Sequence, residues 1–304
     1  MPCKGLCSYF NALIVYLKRG MDLILPIFSA LLLLTGVAAG LVGSITGLGG
    51  AVVITPVLAI LFGVPLEYAA GASLVATIAT SSGAASAYIK DKITNIRIGM
   101  SLEIATTLGA IFGALSAAFV YSHNLAYLLF IVFGVTVMLS VFPMIRSKPK
   151  TYGKNKDWTT DFFQLKGKYY DKASRKVINY AGVRWFLGEG VMFAAGIISG
   201  LLGVGSGVLK VLGMDLGMHL PIKVSTATSD FMIGVTAVTG SAIYWSLGYI
   251  KPLLVAPVII GVLIGAFFGS KIMEAEKVSR IKTIFTIVLI VIAVEMILRG
   301  IGIA

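Results

Sequence analysis

Two glycine-rich stretches hold the backbone best suited to chemistry in this chain: Gly47-Leu48-Gly49-Gly50-Ala51 and Gly203-Val204-Gly205-Ser206-Gly207. Each interrupts an apolar run and is followed by a short apolar helix. Such a helix opens with unpaired backbone N–H groups and a partial positive charge. Glycine lets an oxyanion approach those groups closely. Gly47, Gly49, Gly50, Gly203, Gly205, Ser206 and Gly207 are therefore candidate anion-binding positions, with a ligand-free structural kink as the alternative. Hydroxyls lie nearby: Ser44, Thr46 and Thr55 at the first break, Ser199 and Ser206 at the second. Ser73, Thr77, Thr80, Ser81 and Ser82 fall on the helix after the first break, and Thr226, Thr228 and Ser229 on the helix after the second. Ser73 and Ser229 join the candidate substrate-binding set. A hydroxyl can donate to an oxyanion, or bond back to its own helix.

Two charges sit where charge is costly. Lys210 falls one turn into the second short helix, where the first half has Ile54. Asp230 follows Ser229, where the first half has Leu74. They either pair structurally, or Lys210 attracts substrate while Asp230 takes a coupled proton. Asp215, Glu103, Glu189 and Glu295 are further ionisable groups, and His123 and His219 read as surface residues near helix ends. No Walker A lysine, H-E-x-x-H motif or His/Cys cluster is present, so no catalytic residue, metal or cofactor is expected. ATP-driven transport would need a separate subunit. Cys3 and Cys7 alone are too little for a zinc site.

The elements that position these residues belong to a membrane. Charged residues make up 12% of the chain, apolar ones 58%, and mean hydropathy is +0.95. A soluble domain carries about 25% charge. The long apolar runs fall at 23–45, 68–89, 96–121 and 125–145, then 185–202, 224–247, 253–270 and 281–298. Short runs at 52–62 and 208–216 follow the glycine breaks. About eleven helical residues rise ~16 Å, half the hydrocarbon thickness, so each short piece reads as a re-entrant half-helix.

The breaks stand 203 − 47 = 156 residues apart, and the offset continues without a gap. It pairs Gly40 with Gly196, Pro65 with Pro221, Ser73 with Ser229, Tyr88 with Tyr244 and Gly109 with Gly265. The reading is an all-α polytopic membrane protein of two homologous halves, each about four transmembrane helices plus a Gly-broken re-entrant half-helix. Residues 1–22 form an N-terminal tail, with Met21 an alternative start. Residues 23–145 are the first membrane repeat, 146–184 a basic cytoplasmic loop and 185–304 the second repeat. Gly36 with Gly40, Gly109 with Gly113, and Gly261, Gly265 and Gly269 read as helix-packing ladders.

Net charge is +12, and 146–184 holds eleven Lys or Arg against three Asp, a local excess of 11 − 3 = +8. Basic loops are retained in the cytoplasm and can attract anionic lipid; nucleic-acid binding is not expected. This orientation places the N-terminus, with Lys18 and Arg19, inside beside Lys90, Lys92 and Arg97. It leaves Lys223 and the basic stretch 271–282 outside, against the charge rule. Short pieces that did cross would give five spans per half and inverted repeats.

The duplicated motif resembles the sulfite exporter TauE/SafE family of membrane permeases. GLVGSITGLGG from Gly40 to Gly50, with Pro56, and GIISGLLGVGSG from Gly196 to Gly207 carry the resemblance, which extends over 31–145 and 186–298. Departures are Ala51 for a third glycine, Ser206 within the second run, Leu212 opposite Pro56, Lys210, and a long basic insert at 148–176. The resemblance implies secondary transport of a small inorganic or organosulfur anion, such as sulfite, thiosulfate or an organosulfonate, across the cytoplasmic membrane. A channel-like anion pore, a membrane assembly factor and an intramembrane enzyme are the alternatives. Oligomeric state has no signature in these residues.

Overall fold

A bilayer offers no partner to backbone polar groups, and a helix satisfies its own. The long apolar runs accordingly form helices in the computed structural model, which describes residues 26–123, 125–146, 157–172, 175–275 and 278–302. Readings on Cys3, Cys7, Lys18, Arg19 and Met21 lie outside the described residues. The order is α1 (Pro26–Thr46), α2 (Ala51–Ile60), α3 (Leu66–Lys90), α4 (Ile96–Ser122) and α5 (Ala126–Arg146). Then come α6 (Trp158–Phe162), β1 (Lys166–Asp171), β2 (Lys176–Ala181), α7 (Trp185–Leu202) and α8 (Gly207–Leu212). A π-helical turn (Gly213–Gly217), α9 (Ile222–Ser246), α10 (Pro252–Ala275) and α11 (Val278–Ile301) complete it. The protein is all-α and polytopic, as expected. Helices α3 and α9 start and stop 156 residues apart, since 222 − 66 and 246 − 90 are both 156. Each starts after a proline in the extended region, Pro65 or Pro221, whose fixed φ suits a helix start.

The halves interlock. α1 packs closely on α10 of the other half: a Cβ on Gly36 would lie 2.6 Å from the Val258 carbonyl oxygen, and one on Gly40 would overlap Val262. α7 packs on α4 through Gly196 and Gly200 against Thr106 and Ala110. α3 and α9 run antiparallel, with Leu74 against Gly240 and Ser81 against Gly234. α5 lies along α11, Gly134 facing Ile297 and Ile131 facing Gly300.

The short helices are re-entrant, but the path of the chain differs from the expected one. The rings of Phe28, at the start of α1, and Phe62, after α2, are 5.4 Å apart. Arg299 of α11 donates to the Ala59 carbonyl at 2.9 Å at that same end. At the other end, Val183 N–H donates to Met218 C=O at 3.1 Å, joining the approach to α7 with the exit from the π turn. Each long–short pair is thus a hairpin that enters and leaves by one end, and the two hairpins enter from opposite ends. α3, α4 and α5 therefore run in the opposite sense to α9, α10 and α11, in keeping with the antiparallel α3–α9 contact. α1 is long enough by length and composition to cross, which is why hydropathy counts it as a crossing.

This path moves the charges that fitted poorly. Lys223 Nζ lies 2.8 Å from Asp171 of the basic segment, so the two share an end and are not on opposite sides. Lys271 belongs to the last turns of α10, where Met273 packs with Tyr88, Ile93 and Tyr180 at that same end. The start of α1 lies at the opposite end, so α1 does not begin beside Lys90, Lys92 and Arg97 as the charge rule led one to expect.

Part of the basic loop is folded. β1 and β2 pair antiparallel, Lys166 opposite Ala181 and Asp171 opposite Lys176. Leu165, Tyr169 and Tyr180 are buried against Ile93, Ile98 and Leu220. Asn95 donates its amide to the Tyr180 hydroxyl at 3.1 Å, and Lys172 bonds Asp91 at 2.9 Å. Burial pushes the Tyr180 phenol up from its ordinary value, against the opposing effect of the Asn95 hydrogen bond. This small α–β cap closes one end of the bundle. Single tyrosines among lysines gave too weak an alternation to reveal the strands.

Candidate functional site

The two glycine breaks are the tips of the hairpins, and they meet in the middle of the α3–α9 contact. Their backbones match: Gly47 and Gly49 have φ of 73° and 64°, Gly203 and Gly205 of 68° and 72°. These are left-handed conformations that glycine adopts without strain. Ser206 also takes one, at 44°, where a side chain costs ~1–2 kcal/mol. Each tip is held by a serine that follows the other tip in sequence. Ser73 donates to the Gly203 carbonyl, and Ser229 donates to the Gly47 carbonyl at 2.9 Å. Ser229 also reaches the Gly207 carbonyl at 3.3 Å. The candidate residues Gly47, Gly203, Gly207, Ser73 and Ser229 are therefore in one cluster. Gly49 and Gly205 face the same two side chains, Thr77 and Ile233, themselves related by the 156 offset. Gly50 abuts the Ala39 carbonyl and Thr80.

Most nearby hydroxyls are spent locally. Ser44, Thr46, Thr77, Thr80 and Ser82 each donate to a carbonyl three or four residues back. Ser81 crosses to the Asp230 carbonyl at 2.5 Å, and Thr228 accepts from the Asn95 amide at 3.1 Å. Ser206, Ser199 and Thr55 have buried hydroxyl oxygens without a hydrogen-bond partner. Ser206, at the second tip, is the one within a break.

Lys210 and Asp230 do not pair. Lys210, fully buried, has its ammonium 3.5 Å from Glu103 Oε2 on α4, and it donates to the Thr236 hydroxyl on α9. Thr236 in turn donates to Glu103 Oε1 at 2.5 Å, and Thr107 donates there at 3.2 Å. Asp230 is fully buried and neither carboxyl oxygen has a hydrogen-bond partner. The reason is packing across the halves: α4 of the first half, not the neighbouring stretch of α9, supplies the carboxylate facing α8. Glu103 and Thr236 are the residues whose role the sequence did not single out. Their signal was available, because Glu103 matches Ile259 at the offset just as Lys210 matches Ile54.

Two tyrosines complete the frame. Tyr88 donates to the Ser44 carbonyl at 2.7 Å, and Tyr244 to the Gly200 carbonyl at 3.3 Å. Each fixes the last turn before a break. The arrangement brings two helix starts, one unpaired hydroxyl and one buried ammonium to the centre of the bundle.

The profile of the sulfite exporter TauE/SafE family matches residues 32–296, nearly all of the membrane part. The chain belongs to this family. It is 30% identical over 280 residues to "Probable membrane transporter protein YunE" of Bacillus subtilis, covering 89% of this chain and 98% of that protein. A second Bacillus subtilis relative, "Probable membrane transporter protein YdhB", is 26% identical over 242 residues, 79% of this chain and 89% of its own. A probable membrane transporter protein of Methanocaldococcus jannaschii is 23% identical over 301 residues, 94% of this chain and all of that one. No solved structure matches. In this chain the Lys210–Glu103 pair and Asp230 add charge to a centre otherwise built from glycine and hydroxyls.

Proposed function

We propose that the protein is a secondary carrier of a small sulfur-containing anion, such as sulfite, thiosulfate or an organosulfonate, across the cytoplasmic membrane. The site lies between the two breaks, with Gly47, Gly49, Gly50, Gly203, Gly205, Ser206 and Gly207 presenting backbone and hydroxyl donors and Lys210 the balancing charge. Ser73 and Ser229 hold the tips in register. Asp230, buried without a hydrogen-bond partner, is a candidate for a coupled proton. One observation carries the reading: the tips of two oppositely entering hairpins meet, each tied to a serine beyond the other. Broken helices at a repeat interface are the usual place for transporter substrate sites.

Close contact of Gly49 and Gly205 with Ile233 favours a carrier over an open pore. The names of the relatives support transport over an assembly factor or an enzyme. The cap end is taken as cytoplasmic, since Lys90, Lys92, Arg97, Lys223, Lys271 and the cap lysines lie there. Membrane lipid surrounds the bundle, and anionic headgroups suit that basic end.

The test is flux in sealed vesicles with sulfite, thiosulfate, sulfate, taurine and sulfoacetate, with and without a proton gradient. Uptake that follows the gradient supports a carrier. Flux indifferent to any gradient supports a pore, and no flux with any anion overturns the transport reading.

A further inference from the structure

The buried network beside the second break is charge-balanced as it stands. Lys210 supplies one positive charge and Glu103 one negative, 3.5 Å apart. Its hydrogen bonding is uneven. Glu103 Oε1 accepts from both Thr236 and Thr107, whereas Oε2 faces the Lys210 ammonium at 3.5 Å without a hydrogen bond. The charged groups on the elements around it are Lys210 on α8, Asp230 and Lys223 on α9, Asp215 on the π turn and Glu189 on α7. Among the described residues, Lys210 is the cation in ion-pair contact with Glu103, and Lys223 is held by Asp171.

The network is wired to the breaks on two sides. The Lys210 amide donates to the Ser206 carbonyl at 3.2 Å. Thr236 stands one turn from Ile233, the residue that faces both Gly49 and Gly205. An anion drawing on Lys210 would bring a second negative charge beside Glu103, where no water screens them. Like charges that close in a low dielectric do not both persist. One proton on Glu103 removes its charge and leaves Lys210 to the anion, and Oε2, which faces Lys210 without a hydrogen bond, is the position for it.

We propose that Glu103 is the proton-binding residue of this carrier: it takes one proton for each anion that Lys210 receives. The inference rests on the transport reading above, and it gives the coupling to Glu103 in place of Asp230. A hydronium ion yields its proton to Oε2, and the carboxylate becomes a carboxyl. No bond forms to the anion, and Lys210 keeps its own proton while its charge turns from Glu103 to the anion. Release reverses both events. The matching positions, Ile54 and Ile259, carry no charge, so the 156-residue offset does not repeat this network.

Purified protein in neutral-lipid vesicles, with a pH-sensitive dye inside, tests this using thiosulfate, whose charge is constant near neutral pH. The wild type should take up thiosulfate about tenfold faster into an alkaline lumen, and the dye should report acidification. Glu103→Gln should still exchange labelled for unlabelled thiosulfate, yet lose the dye signal and the gradient response. Glutamine imitates the protonated carboxyl, so this variant should bind thiosulfate more tightly than wild type at alkaline pH, with the difference closing as the pH falls. Asp230→Asn should keep the gradient response. A gradient response in Glu103→Gln, or its loss in Asp230→Asn alone, overturns the assignment. Should Glu103→Gln fail to insert, Glu103→Asp retains a titrating group at shorter reach. A shifted pH midpoint then supports the proposal, and an unshifted one overturns it. Wild-type thiosulfate flux without proton movement overturns the coupling and leaves the transport reading standing; no flux of any anion removes both.

Discussion

The Lys210–Glu103 pair can be weighed by removing its halves separately and together. Both side chains are almost wholly buried, at 0% and 5% exposure, so an unpaired survivor cannot turn to water. Lys210→Ile leaves Glu103 with hydroxyl partners only, and Glu103→Ile leaves Lys210 with Thr236 only. Breaking a buried pair in this way costs about 3–5 kcal/mol. The double change, Lys210→Ile with Glu103→Ile, installs the residues found at the matching positions, Ile54 and Ile259. Replacing a buried pair by apolar residues is often neutral or stabilising by about 1–4 kcal/mol. Two singles of about 3–4 kcal/mol and a double near zero give a coupling of about 6 kcal/mol, far above the ~0.5 kcal/mol scatter of independent sites.

The assay is reversible unfolding from mild-detergent micelles by a denaturing detergent, with all variants in one buffer. A second cycle, Lys210→Ile with Asp230→Leu, serves as the control and should be additive within about 0.5 kcal/mol. Asp230→Leu alone should stabilise by about 1–3 kcal/mol, because it removes a buried polar group that has no hydrogen-bond partner. Additive energies in the first cycle would refute the pairing. Strong coupling in the second would return the partnership to Asp230.

Three other outcomes follow from the tips and the chain path. Gly205→Ala should lower stability by about 1–3 kcal/mol and suppress flux, since its φ is 72° and its Cβ would lie 2.8 Å from Ile233 Cγ2. Adding Ile233→Ala should recover part of the stability; no recovery would show that backbone strain alone accounts for the loss. Ser73→Ala and Ser229→Ala should each cost about 0.5–1.5 kcal/mol in the same unfolding assay and reduce flux alike, and an effect confined to one would deny that the two ties are equivalent. Lys168→Cys on the cap should resist an impermeant thiol reagent applied to intact cells, while Ser122→Cys at the opposite end of α4 should react; the reverse labelling would invert the orientation.

How far the fold was legible depended on whether a feature is local. Residues 66–90 and 222–246 were readable as helices because hydropathy and the prolines before them are properties of the segment itself. The glycine ladders on α1 and α10 were readable as packing faces, but nothing in either ladder says that they pack on each other across the halves. Hydropathy also records length and not direction. The 21-residue α1, apolar on average, looks like a crossing, and contacts such as that of Phe28 with Phe62 show the chain turning back. Yet the charges held a clue. Lys223 and Lys271 broke the charge rule while α1 and α7 counted as crossings; in the inverted path they join the other basic residues at the cap end. The same crossing of halves misdirected the search for the partner of Lys210. Asp230 was the singular charge chosen in the second half, but the α8 face looks onto α4 of the first. A chain with interlocked halves must be read for asymmetry in both. A charge at one position and isoleucine at its match occurs at Lys210 and again at Glu103, and those two residues are the ones that meet.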